Sequence, residues 1–205
     1  MLLDVDSALM VDIDFPDQQY AAYRTGDDYS PQPFPDGALT TTLRDPRGRA
    51  RTYFYLPQAI DAIRAAASAG IDVVWNTNWL ADEERVRQVA TEIGLADDVR
   101  FPTDDELPVR PTDTRIDFGP NCLWEHWKVQ ALVERVRTSA TGCEIVLVDA
   151  DLDYSSRRLS DGVSRRAKRN DAIVGWIHPK DELGLDDHDA AAIVGWAQTG
   201  TLPGH

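Results

Sequence analysis

The chain has 205 residues and carries 35 acidic against 21 basic side chains, a net charge of −14. With 42% hydrophobic and 27% charged residues, it reads as one folded domain with a sizeable core rather than a disordered chain. A balance this acidic argues against coating nucleic acid through overall electrostatics, but leaves room for a local basic groove.

Cys122 and Cys143 cannot build a disulfide framework, and no Cys/His cluster has zinc spacing, so a reducing cytoplasm is the expected compartment. No apolar run approaches the roughly 18 residues of a membrane span, so no membrane partner is expected. The start, Met1-Leu2-Leu3-Asp4-Val5-Asp6, has no basic region, so no signal peptide is expected.

Residues 1–5 read as a short buried strand. Residues 10–56 are rich in Asp, Pro, Tyr, Thr and Gly, and read as a small cap-like insert. Within it, Ala38 to Leu43 and Ala50 to Leu56 suggest a hairpin around Asp45-Pro46-Arg47-Gly48. Pro57 opens a helix that Gly70 closes, with Ile60, Ile63, Ala66 and Ala67 on its apolar side. Ile71 to Trp75 is the next strand. Asp82 is a candidate N-cap for a helix running to about Ile93, with Gly94 after it.

Val99 to Phe101 suggests a short strand, and the Pro-containing stretch 102–120 a loop. Residues 122–138 read as a helix with Leu123, Trp127, Ala131, Val133 and Val136 on its apolar side. Glu144 to Val148 reads as a strand, 154–168 as a basic helix and Ala172 to Ile177 as a strand. A last helix starts at Asp186 or Asp187. Strands alternating with helices predict an α/β fold, a Rossmann-like three-layer sandwich with a mostly parallel sheet, over a single domain spanning 1–205.

In such sheets ligands bind beyond the carboxyl ends of the strands. Asp4 and Asp6 follow the first strand, and Asn76, Thr77 and Asn78 the second. Asp149, Asp151 and Asp153 follow the strand at 144–148, and Lys128 lies on the helix before it. Carboxylates gathered at one edge repel unless a cation joins them, and hard oxygen ligands suit Mg²⁺. A lysine beside Mg²⁺ would suit a phosphoryl group.

These segments resemble the four motifs of the haloacid dehalogenase (HAD) superfamily of phosphohydrolases. They are Leu2-Leu3-Asp4-Val5-Asp6, Val73-Val74-Trp75-Asn76-Thr77, Trp127-Lys128 and Ile145-Val146-Leu147-Val148-Asp149 with Asp153 behind it, in the family's order. Trp75-Asn76-Thr77-Asn78-Trp79, Trp127-Lys128 and the late Gly184-Leu185 are similar to actinobacterial and phage HAD-like proteins grouped with RNA-repair domains.

The resemblance implies Mg²⁺-dependent hydrolysis of a phosphate monoester through an aspartyl phosphate. It makes Asp4 the nucleophile, Asp6 the acid and base, Thr77 a phosphoryl contact and Lys128 the charge-neutralising group. Asp4, Asp6, Asp149 and Asp153 would hold the metal. Asn78 and Trp79, just past Thr77, are candidate substrate contacts, with Trp79 a candidate to stack on a base. The substrate would be a phosphorylated small molecule or a nucleic-acid end.

Two alternatives stand beside this. Ser7, Ala8 and Ala150 depart from the family pattern and suggest a degenerate HAD-like binding module without turnover. The basic cluster Arg157, Arg158, Arg165, Arg166, Lys168 and Arg169 suggests a nucleic-acid end phosphatase in a repair pathway. A solvated helix face that balances the Asp-rich regions is the simpler account of that cluster. His126 and His178 have no ligand spacing.

Overall fold

A computed structural model describes residues 1–5, 8–12, 35–44, 50–109, 127–140, 142–150, 163, 165, 167–169, 171–179 and 184–201. Its centre is a four-stranded parallel sheet of β1 (Leu2–Leu3), β5 (Val74–Trp75), β6 (Glu144–Val148) and β7 (Ile173–Ile177), in the order β5-β1-β6-β7. The register pairs Leu3 with Trp75 on one side and with Val148 on the other, and Val148 with Ile177. The expected strand at 99–101 is a single parallel bridge from Arg100 to Val74, which extends the β5 edge.

Both faces of this sheet are buried, as a parallel sheet requires. Leu3, Trp75, Val146 and Val148 pack on one side with Ile60 and Ile63 of α1 (Pro57–Ser68) and Ile193 and Trp196 of α4 (Asp187–Thr199). Leu2, Val74, Ile145 and Leu147 pack on the other side with Val129, Leu132 and Val136 of α3 (Trp127–Thr138), and with Val163 and Ala167. The alternation along β1 and β6 therefore separates two apolar layers, as period-2 geometry dictates.

The helices begin where short-range chemistry says they should. Pro57 occupies the first turn of α1, and Gly70 adopts φ 86° beyond its end. The Asp82 carboxylate caps α2 (Glu83–Glu92) by accepting from the Arg85 N–H. Asp186 and Asp189 form a capping box at α4, and the left-handed Gly200 ends that helix. The Trp196 indole donates to Glu144 at 2.7 Å and ties α4 to the start of β6.

The hairpin read within 10–56 is present as β3 (Leu39–Arg44) and β4 (Ala50–Tyr55). Its unforeseen third strand is β2 (Val11–Asp12), which pairs antiparallel with β4 and gives the order β2-β4-β3. Leu43, Tyr53 and Leu56 are buried in the same apolar cluster as Trp79 and Val86, so this small sheet shares the main core. The expected strand Ile71 to Trp75 is shorter, Val74–Trp75, because the neighbouring β1 begins only at Leu2, the partner of Val74. Among the described residues no helix is long and apolar enough to cross a membrane.

Candidate active site

The parallel ladder continues one residue past the strands. Asp4 N–H donates to Val148 O at 2.9 Å, Asn76 N–H to Leu3 O at 2.8 Å and Asp149 N–H to Ile177 O at 3.3 Å. Extending the register by that residue aligns Asn76, Asp4, Asp149 and His178 across the carboxyl end of the sheet. Polar groups thus replace the apolar rungs at the edge where open α/β sheets bind ligands.

Lys128 joins two members of this row. It lies on α3, and its Nζ donates to Asp4 Oδ2 at 2.8 Å and to Asp149 Oδ2 at 3.1 Å. All three side chains are fully buried. The other Asp4 oxygen, Oδ1, accepts from the Val5 N–H at 2.8 Å. A buried lysine held between two carboxylates needs this geometry, because removing either kind of partner leaves an uncompensated charge. Two carboxylates and one ammonium still leave a net negative charge and oxygen donors, a set that fits a hard divalent cation.

Asp6 and Asp153, the other two expected ligands, lie outside the described residues, as do Ser7, Asp151 and His126. Among the described residues no group of three or more His, Cys, Asp or Glu side chains gathers as a metal site. Asp4 and Asp149 are therefore the two members of the expected set whose placement is seen.

Thr77 follows Asn76 and is fully buried. It caps the 3₁₀ turn Asn78–Ala81, its Oγ1 accepting from the Trp79 N–H at 3.3 Å. Asn78 faces α3, where its Oδ1 accepts from Trp127 Nε1 at 3.2 Å. The residue beside Lys128 is thereby tied to the loop that carries Thr77. Trp79 is 5% exposed. Tyr53 meets it edge-on at 5.4 Å, and the Arg85 guanidinium lies 3.6 Å over its ring. A base stacking on that face would have to displace Arg85.

Three residues gain significance only in three dimensions. Asn76 is 2% exposed, and its amide nitrogen has no hydrogen-bond partner, beside a small cavity lined by both apolar and charged residues, among them Leu2, Val74, Leu107, Glu106 and Arg135. His178 follows β7 directly, with Nδ1 3.0 Å from the Asp149 carbonyl oxygen. That oxygen can only accept, so Nδ1 carries the hydrogen. Their positions after strands were readable signals. Arg85 offered none, since an arginine on an exposed first helical turn looks like a solvated one.

Of the basic cluster, Arg165, Lys168 and Arg169 are exposed, while Arg157, Arg158 and Arg166 lie outside the described residues. Val163 and Ala167 between them are buried against α3's layer, so the visible cations occupy the opposite, solvent-facing side. No family model, curated protein or solved structure matches the chain.

Proposed function

We propose that the chain is a HAD-like, Mg²⁺-dependent phosphohydrolase that cleaves phosphate monoesters through an aspartyl phosphate, with the 10–56 insert acting as its cap. The observation that carries this reading is the buried bridge from Lys128 Nζ to Asp4 and Asp149 at the carboxyl end of a parallel sheet. The order β5-β1-β6 supports it further, because it puts the Thr77, Asp4 and Asp149 segments on adjacent strands.

In the first step an Asp4 carboxylate oxygen attacks phosphorus, and the bond from phosphorus to the leaving oxygen breaks as Asp6 gives that oxygen a proton. In the second step Asp6 takes a proton from water, the water oxygen bonds to phosphorus, and the bond to Asp4 breaks. Lys128 offsets the charge of the nucleophile and of the transferring group, while Thr77 donates its hydroxyl hydrogen to a phosphoryl oxygen. Asp4, Asp6, Asp149 and Asp153 would hold Mg²⁺, which when bound neutralises phosphoryl charge and orients the substrate.

Hydrolysis of p-nitrophenyl phosphate with and without Mg²⁺ tests the reading. Wild type turns over in a Mg²⁺-dependent manner, and Asp4→Asn lowers kcat by about a thousandfold or more. Equal Mg²⁺-dependent turnover in both proteins removes Asp4 as nucleophile. The full burial of Asp4, Lys128 and Asp149 favours the second reading, a binding module without turnover. Mg²⁺ binding with no hydrolysis across a panel of phosphate esters would select it.

A further inference from the structure

Arg85 is a half-buried cation with an incomplete set of partners. Its Nη2 donates to the Tyr53 hydroxyl at 3.0 Å, and its guanidinium stacks on Trp79. Its Nε is buried with no hydrogen-bond partner. Of the carboxylates near it in sequence, Glu84 is exposed and the others are engaged elsewhere. Asp82 accepts from the backbone N–H of Arg85, and Glu83 pairs with Arg87 at 3.4 Å. Asp12, opposite Tyr53 in the register, pairs with Arg51 at 3.6 Å. Among the described residues no carboxylate pairs with the Arg85 guanidinium, in a protein whose net charge is −14.

The clamp fixes the guanidinium plane in advance. Indole stacking holds one face and the phenol holds one edge, so binding a planar anion costs little further ordering. Its location joins two parts of the molecule. Trp79 is hydrogen-bonded to Thr77 through its backbone, and Tyr53 belongs to β4 of the small sheet. The cation therefore lies where that sheet meets the loop that carries Thr77.

We propose that Arg85 binds a second anionic group on the substrate, a carboxylate or a phosphodiester carried by the part that departs with the alcohol oxygen. This rests on the phosphohydrolase reading above and narrows its substrate class to monoesters that carry a further anionic group besides the scissile phosphate. The second anion meets the part of the half-buried guanidinium that stays open, with charge-assisted hydrogen bonds from a planar donor fork.

The test compares n-butyl phosphate, ω-carboxyalkyl phosphates of graded chain length and a 5′-phosphorylated dinucleotide as substrates. Wild type, Arg85→Lys and Arg85→Gln are assayed with Mg²⁺. Wild type prefers one of the two series with a second anionic group over n-butyl phosphate, and the preferred series distinguishes a carboxylate from a phosphodiester. Arg85→Gln lowers kcat/KM for the best of these substrates by about tenfold more than for n-butyl phosphate, and Arg85→Lys retains part of the preference. An equal loss on both substrates, or no preference in wild type, overturns the proposal. If Arg85→Gln does not fold, Arg85→Lys decides alone, and undiminished preference there counts against the planar fork. If wild type hydrolyses none of the compounds, the activity reading fails. Calorimetric binding of the same compounds then judges Arg85: binding of a compound with a second anionic group that weakens in the variants more than that of n-butyl phosphate sustains its role, and its absence or its independence of Arg85 overturns it.

Discussion

Lys128 is a buried ammonium with two buried carboxylates as partners, and its removal should be costly in a particular way. Lys128→Met removes the ammonium that Asp4 and Asp149 share. The expected loss is about 3–5 kcal/mol at neutral pH, in the range for breaking a buried pair. The loss should shrink in mildly acidic buffer, where one carboxylate can take up a proton and end the repulsion. Urea unfolding at both pH values measures this, and an equal loss at both would mean that charge is not the cause. At this scale Asp4, Thr77, Lys128 and Asp149 were readable because each stands at a strand end or on the helix before one. The second ligand pair, Asp6 and Asp153, rests on sequence alone. The place of Trp79 just past Thr77 suits base stacking and packing alike, and says nothing of the arginine over its ring. That contact joins two elements through side-chain packing, which periodicity does not encode.

Between elements, the amino end of the sheet is held by a network of arginines and acids. Arg100 makes a two-point contact with Asp72, Nε to Oδ1 and Nη2 to Oδ2, both at 2.7 Å. It also reaches Glu106 at 2.8 Å through Nη1 and Nη2. Arg135 of α3 pairs with the same two acids. The lead into β5, the bridging residue, the turn Asp104–Glu106 and α3 are thereby joined. Hydrogen bonding to Arg100 holds the Asp72 carboxyl well below the usual range against the opposing effect of burial, with Arg135 adding to it. The same arginine lowers Glu106 to about 2.

Depressed folded-state values mean that the unfolded chain binds protons first as pH falls. This stability is complete above the unfolded carboxylate values, about 3.9 and 4.3, and is lost as pH drops through the folded ones. Arg100→Gln should therefore flatten the decline in urea midpoint between about pH 5 and pH 2 relative to wild type. An unchanged acid limb would remove the network from that role.

Gly184 is a second joint between elements. Its φ is 65°, and a Cβ there would meet Ala8 O at 2.9 Å, while Leu185 N–H donates to that same oxygen at 2.8 Å. Gly184→Ala should cost about 1–2 kcal/mol or more, since strain and crowding add, and a denaturant titration checks it. The hairpin and helix starts were readable because Pro57, Asp82, Asp186 and the Gly stops act locally. β2 was not, since two residues carry no periodicity and pair only with a strand much later in the chain.

For the whole molecule, the charge of −14 becomes a prediction about salt. Screening self-repulsion with NaCl should raise the melting temperature, and Mg²⁺ at matched ionic strength should raise it further by binding the folded state. Asp149→Asn should retain the NaCl effect and lose most of the Mg²⁺ increment. A full increment in that variant would place the metal away from Asp149. The fold class was readable because alternating strand and helix patterns leave few topologies. The order of strands was not, because it depends on which apolar faces meet.

That order has a consequence for how the chain is made. β1 lies between β5 and β6, and Leu2 pairs with Val74 and Leu147. The central strand leaves the ribosome before either neighbour, and Lys128 and Asp4 are 124 residues apart. Pairing across such separations closes large loops before it gains contacts, which slows folding. An apolar first segment must therefore wait, unpaired and open to chaperones, until its second flanking strand emerges, and the proposed catalytic centre is among the last features to assemble.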